Sequence, residues 1–502
     1  MRPILLISIV SVFALAFVGC EGDAGPQGPP GPQGPQGPPA VDSEFTFVGN
    51  EGEPCQHCHL NVVEQWAVTG HSEATAGLDP EDRDNAYCMQ CHTTGWDRPI
   101  ESFGTAFESV PAGPDTMGYD DYFRVDTELA AERRMELAGV QCEACHGAMG
   151  PDFNSHRPDV SFSTRFEVAG SDTTSTSLCY PCHDNQLEEW AVSGHSFYES
   201  DTGEFGDIDV FNDEHYVGRS SCDGCHTSEG FIRENDPVYA AYDFGPQASF
   251  IGCVTCHDPH SGANGSGNEA QLRAVGPVEV AYAPLTGPGE TTIPVLENRG
   301  TGQTCAQCHK ARRDTDNVQG QIANGYAHFG PHSSPQMDMF LGYGSYEIDG
   351  FTYTGRYDGD DPTTHYAGTA NACVDCHMAP GEGMNHTPHQ FFINDPENPE
   401  WLGCVSCHGT AENTSGLYEG LRGEVETKLG QIATLLGYAD LADFEAAIDD
   451  DNPTWTVQQR EAAYAAVFVL SDGSWGTHNP DYTRDLLDNA IEYLTPVKGA
   501  GR

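Results

Sequence analysis

The chain has 502 residues, with 76 acidic against 22 basic side chains and a formal net charge of −54. Such a field repels nucleic acid and anionic lipid headgroups, favours cationic partners or metal ions, and suits a solvated coat in a saline, extracellular setting. The 33 prolines and 57 glycines predict short helices and much irregular loop, a mainly α chain with few long elements.

The chain opens on Met1-Arg2 and an apolar run from Ile4 to Val18 that ends at Phe17-Val18-Gly19-Cys20. A run this short, with a basic start, fits a signal-peptide core better than a membrane span. It resembles a bacterial lipoprotein signal: residues 1–19 as the leader, Cys20 as the lipidated N-terminus, and Glu21 next, which leans towards outer-membrane sorting. The rival is an uncleaved signal anchor. Either way the chain is exported and held at a lipid bilayer. Residues 20–43 comprise the lipidated cysteine and a stalk, Gly22 to Pro39, which reads as six consecutive Gly-x-y triplets. Six triplets are few for a stable triple helix, so a stiff polyproline-II spacer is the simpler reading and trimerisation the alternative. At about 3.1 Å per residue it would span roughly 55 Å.

From Glu44 onward one pattern organises the sequence. Cys-x-x-Cys-His occurs at Cys55, Cys58 and His59; Cys88, Cys91 and His92; Cys142, Cys145 and His146; Cys179, Cys182 and His183; and Cys222, Cys225 and His226. It continues at Cys253, Cys256 and His257; Cys305, Cys308 and His309; Cys373, Cys376 and His377; and Cys404, Cys407 and His408. Random placement of 19 cysteines and 21 histidines would give about 0.03 matches, so nine is not coincidence. In this pattern two cysteines form thioethers to a haem and the adjacent histidine ligates its iron. Structural zinc and disulfide frameworks also use cysteine pairs, but neither requires a histidine after every second cysteine. The motifs therefore imply nine haem c groups and use every cysteine except Cys20. The surrounding carboxylates should lower the haem potentials by stabilising the ferric state.

The motifs group in threes, giving three tri-haem segments at 44–178, 179–304 and 305–410. Residues 55–72 align without gaps on 179–196, with eleven of 18 positions identical, including Trp-Ala-Val, then Gly-His-Ser. The second motifs also match, CMQCHTTGW at Cys88 against CDGCHTSEGF at Cys222, and a His-Tyr pair precedes both Cys222 and Cys373. This is a tandem triplication with drift. Residues 411–502 contain no cysteine and form a C-terminal helical segment. Leu417, Leu421, Val425, Leu429, Ile432 and Leu436 fall at helical spacing. A second helix is expected from Asn452-Pro453, and a third from Asn479-Pro480 to a stop before Pro496.

Twelve histidines remain after the nine motif residues, enough to close every iron from its second face. If His59 to His71 is helical, its 12 residues span about 18 Å, so His71 must serve a neighbouring haem; the same holds for His195 after His183. His260 lies on nearly the same helical face as His257, so it too belongs to another haem.

The chain resembles the multihaem c-type cytochromes of metal-respiring bacteria, related in motif style to the pentahaem nitrite reductases and the hydroxylamine oxidoreductases. The resemblance lies in the two Trp-Ala-Val-[Thr/Ser]-Gly-His-Ser stretches, Cys253 to His260, Gly330 to Met339, and Gly476 to Pro480. It implies distal iron ligation by His71, His195, His260, His332 and His478, with His156, His215, His365, and His386 or His389 completing the set. His57 and His328 stand last. The nitrite reductases of this lineage replace the motif histidine by lysine at the catalytic haem, whereas all nine motifs here end in histidine. The expectation is an electron-transfer protein, with haems packed as the core, exchanging electrons with other cytochromes, redox proteins or metal oxides. The rival functions are an oxidoreductase acting on a small nitrogen or sulfur compound at one open haem, and a polymerising or trimerising haem wire.

Overall fold

A computed structural model describes residues 47–49, 53–96, 118–146, 179, 182–196, 198–199, 204–205, 222–237, 239–241, 251–260, 270–284, 293–326, 328–357, 364–381, 384, 386–393, 401–449 and 454–495. The leader, Cys20, the triplet stalk, His156, His215 and Asn452-Pro453 lie outside the described residues.

The chain is mostly helical with little strand. The strand pairs among the described residues are two antiparallel ladders of two residues each, Tyr198–Glu199 with Glu204–Phe205 and Val278–Glu279 with Val295–Leu296. Up to His408 the helices are short: Glu53–Trp66, Ala86–His92, Glu128–Glu136, Asp184–Ala191, Ser228–Asn235 and Thr315–Asn324 are the longer ones, separated by turns. Thr127, Thr227 and Asp314 cap three of them by accepting backbone N–H bonds, which ends the preceding loop at a defined residue. No helix among the described residues is long and apolar enough to cross a membrane.

The three longest helices among the described residues follow the last motif. Ala411–Leu436, Leu441–Asp449, Val457–Asp472 and Pro480–Leu494 surround the largest apolar cluster, built on Val425, Leu429, Ile432, Tyr464, Phe468, Tyr482, Leu486 and Leu487. Val318, Ile322, Phe329 and Met339 from the motif-bearing region enter the same cluster, so the C-terminal helices are packed into the body. The first and last helices follow the sequence expectation, although Leu417 is exposed and only the stripe from Leu421 onward turns inward. The middle helix corrects it. Residues 454–456 are not helical, and the helix starts at Val457 with Thr456 and Gln459 forming a reciprocal capping box. That two-way exchange satisfies two orphan donors, which the Asn-Pro signal could not match. Leu441–Asp449 was not anticipated.

The smaller clusters elsewhere, such as Met89, Tyr119, Tyr122, Ala130 and Leu137, are modest for the chain length. The described residues nevertheless belong to one compact unit, Ser43–Arg502.

Candidate functional site

The motifs fold as single helical turns. Five lie within helices, at the start of Glu53–Trp66 and in Ala86–His92, Cys142–His146, Cys373–His377 and Leu402–His408, while Asp223–His226, Cys253–Cys256 and Gln303–Ala306 take in part of motifs five, six and seven. In four of them the motif histidine donates its backbone N–H to the first cysteine's carbonyl: His183 to Cys179 (3.0 Å), His226 to Cys222 (3.1 Å), His257 to Cys253 (2.9 Å) and His309 to Cys305 (2.9 Å). One turn puts residues three and four apart on a common face, so both sulfurs and the imidazole address the same side. Among the described residues none of the eighteen motif cysteines is paired in a disulfide. Among the described residues no three or more His, Cys, Asp or Glu side chains converge into a metal cage. A structural zinc site would need four such ligands together.

What converges instead is pairs of imidazoles. Ring centroids lie 6.2 Å apart for His71 and His183, 6.1 Å for His146 and His260, 6.0 Å for His195 and His309, and 6.5 Å for His226 and His332. They lie 6.1 Å apart for His257 and His389, 6.1 Å for His365 and His408, and 6.2 Å for His377 and His478. Every pair joins one motif histidine to one other histidine. With metal–imidazole bonds of about 2.0 Å and a centroid about 1.2 Å beyond the nitrogen, two imidazoles on one iron should stand about 6.4 Å apart. Attraction between rings would favour particular tilts, yet the interplanar angles run from 11° for His146–His260 to 90° for His365–His408. A metal between the rings leaves that angle free. The donor set therefore fits haem iron.

The second nitrogens are engaged as well. Nδ1 donates to the carbonyls of Ala74 from His92 (2.5 Å), Ala270 from His257 (2.6 Å), Phe391 from His377 (2.9 Å), Thr387 from His389 (2.8 Å) and Ser333 from His332 (3.1 Å). These bonds fix the tautomer and leave Nε2 as the ligand atom. Burial, followed by neighbouring histidines, pushes the His71 and His195 rings down to about 4, and burial pushes the His377 ring there too. Rings held neutral at pH 7 are in the form that binds metal.

The pairs cross the motif groups. His71, twelve residues after motif one's histidine, faces motif four; His195, twelve after motif four's, faces motif seven. The helix expected to carry His71 ends at Trp66 and is kinked at His59, so turns 67–71 rather than helical rise bring the ring to its neighbour. His260 lies in a turn beyond Cys256 and faces motif three. Of the two alternatives near Gly383, His389 faces His257, while His386 gives Nε2 to Glu189 (2.9 Å). His328 lies edge-on to Tyr326, and His57 sits exposed on the first helix.

Contacts between cysteines give the motifs a spatial order that spacing alone does not reveal. Cys55 neighbours Cys142, and Cys179 neighbours Cys253, linking motif one to three and four to six. Cys182 approaches the Cys91 carbonyl (4.0 Å), and Cys308 both touches Cys225 and approaches the Gly224 carbonyl (3.8 Å), linking two to four and five to seven. Cys145 lies near Cys179, and Cys256 near Cys308, linking three to four and six to seven. Each link recurs with a shift of three motifs. Beyond motif seven the line runs Cys305 to Cys373 and Cys376 to Cys404. At the last step a Cβ on Gly403 would stand 2.5 Å from Cys376 Cα, so only glycine allows that approach.

The repeated tryptophans explain the recurrence. Trp66 and Trp190 are buried, and their Nε1 atoms donate to the carbonyls of Val140 (3.0 Å) and Ile251 (2.9 Å), each two residues before the first cysteine of the third motif in its group. Thr94 and Ser228 make a second matched tie, accepting from the N–H of Gln141 (2.8 Å) and of Gly252 (3.2 Å).

The comparisons with known proteins agree with this geometry. The model of the family described as cytochrome c554 and c-prime matches residues 54–110 and 178–258, which cover the two tryptophan-bearing repeats. The multiheme cytochrome MtrA of Shewanella baltica (strain OS185) is 24% identical over 185 residues, 35% of this chain and 44% of that relative. The chain thus matches less than half of that protein's length. The outer cell wall cytochrome OcwA superposes with a TM-score of 0.50 at 17% identity, over 89% of this chain and all of that one. In sequence the chain is thus similar to multihaem c-type cytochromes over its tryptophan-bearing repeats. An undecaheme S-layer cytochrome of Carboxydothermus ferrireducens also matches, with a TM-score of 0.44 at 18% identity, over 91% of this chain and 70% of that one.

Proposed function

We propose that this cytochrome is an electron relay of the cell envelope, carrying nine covalently bound haem c groups. It passes electrons between other redox proteins and an extracellular or periplasmic acceptor. One observation carries the reading: seven motif histidines each face a second histidine at iron-spanning distance, in motifs whose cysteines neighbour one another as a connected, branched set.

When bound, haem supplies a reversible one-electron Fe(III)/Fe(II) couple. The residues do the rest. The cysteine pairs would fix the haems' positions, each motif histidine and the histidine facing it would hold an iron between them, and carbonyls accept from the second ring nitrogen of several of these rings. Lipid anchoring through Cys20, with the triplet stalk as spacer and outer-membrane attachment, is part of the proposal. It rests on the leader, the acidic coat and the likeness in fold to OcwA, an outer cell wall cytochrome. Metal oxides are proposed as acceptors because the acidic surface favours cations.

The same reading assigns His156 and His215 to close motifs one and two. By the three-motif shift, motif five's partner His332 lies between motifs seven and eight, so motif two's should lie between four and five, as His215 does. The rival, an oxidoreductase acting on a small nitrogen or sulfur compound, turns on motif two. Among the described residues, no histidine ring faces His92. Protein-film voltammetry separates the two. The relay gives a broad reversible envelope that nitrite and hydroxylamine leave unchanged; a catalytic current with either compound would establish the enzyme instead.

A further inference from the structure

The C-terminal helices look like packing, but they deliver a charge to one iron site. Helix Val457–Asp472 ends in Asp472, whose side chain is fully buried. Its Oδ1 accepts from Nδ1 of His478 at 2.7 Å. Its Oδ2 accepts from the Ser474 hydroxyl and, at 3.3 Å, from the Ser474 backbone N–H. The Asp472 carbonyl accepts from Gln336 Nε2 (3.1 Å), and Ser474 Oγ accepts the His478 N–H (3.2 Å), so both partners are locked. His478 is the ring that faces His377 of motif eight.

Several other rings end on neutral acceptors. His92, His257, His377, His389 and His332 donate to backbone carbonyls, and His309 to the neutral Gln336 amide. The Asp258 carboxylate stands 3.9 Å from His260, beyond hydrogen-bond range. A carboxylate on Nδ1 makes an imidazole more basic and a stronger donor through Nε2. A stronger axial donor stabilises ferric over ferrous iron. Burial matters because water would otherwise screen the carboxylate.

We propose that Asp472 is a positioning residue that lowers the reduction potential of the motif-eight haem relative to the same haem with an uncharged partner on His478. The proposal rests on the relay reading, since it assumes haem at motif eight with His377 and His478 as its axial pair. Motif eight stands between seven and nine in the line of contacts. The carboxylate therefore places a low-potential step near the C-terminal end of the path, set by a segment that binds no haem itself.

The test uses the full holoprotein in a spectroelectrochemical titration, with covalent haem counted by pyridine haemochrome. Asp472→Asn should move one centre upward and leave eight unmoved, while Asp472→Glu should stay near the wild type. Ser474→Ala removes a donor that competes for the carboxylate and should move the same centre down, a result that stands even if the asparagine variant does not fold. Unmoved titrations for both Asp472→Asn and Ser474→Ala, with nine haems counted, would overturn the proposal alone. A wild type lacking covalent haem at Cys373 and Cys376 by peptide mass would instead remove the relay reading beneath it.

Discussion

Single side chains set the chemistry of this molecule through what lies on their second atoms. The His71 and His195 imidazoles are held neutral by burial, and the His377 and His389 tautomers are fixed because Nδ1 has an acceptor. Asp338 is the converse case. It is fully buried, its Oδ2 accepts from the Ala311 N–H (2.6 Å), and Oδ1 has no hydrogen-bond partner among the described residues. Burial pushes its carboxyl up to about 7. The folded pKa therefore exceeds the unfolded one, and the folded state holds a proton that the unfolded state releases. That contribution is complete below the ordinary carboxyl value and is lost as pH rises through about 7. Asp338→Asn should remove it. Urea midpoints measured from pH 4 to 8 should show a smaller loss on raising pH in the variant than in the wild type; parallel curves would contradict the assignment.

At the scale of elements, the repeated stretches earn their likeness from two matched ties. Trp66→Phe and Trp190→Phe each strand one part-buried carbonyl, at Val140 and Ile251. Each should destabilise the holoprotein by about 1–3 kcal/mol, read from denaturant midpoints, and by similar amounts because the sites are equivalent. A loss at one position only would mean that the repeats differ structurally. The sequence shows why these residues recur only as a pattern: Trp-Ala-Val-x-Gly-His-Ser was legible, but its target carbonyls lie 74 and 61 residues away. The terminal helices were legible because Asn479-Pro480 and the Leu421 to Leu436 stripe are local signals. The start at Val457 was missed because the capping box there depends on Thr456 and Gln459 acting together.

At the scale of the whole molecule, the motifs and the pool of facing histidines could be read directly, since their chemistry is written in residue type and spacing. The pairing could not. His389 rather than His386 faces His257 because Glu189, 197 residues before His386, takes the latter's Nε2. Nor could the order of motifs in space, which follows contacts such as Cys182 with Cys91. Asp472, six residues before His478, had no signal beyond an acidic residue near a helix end. The resulting picture is a body whose apolar clusters are small around the motifs and large in the C-terminal helices, as expected if bound haem supplies the missing core. Its central claim is that the irons are closed on both faces by histidine. The direct measurement is spin quantification by electron paramagnetic resonance on the fully oxidised protein, with and without nitrite or hydroxylamine. The account predicts low-spin ferric signals for all nine haems and no change on adding either compound. A stoichiometric high-spin ferric signal that responds to nitrite or hydroxylamine would contradict it.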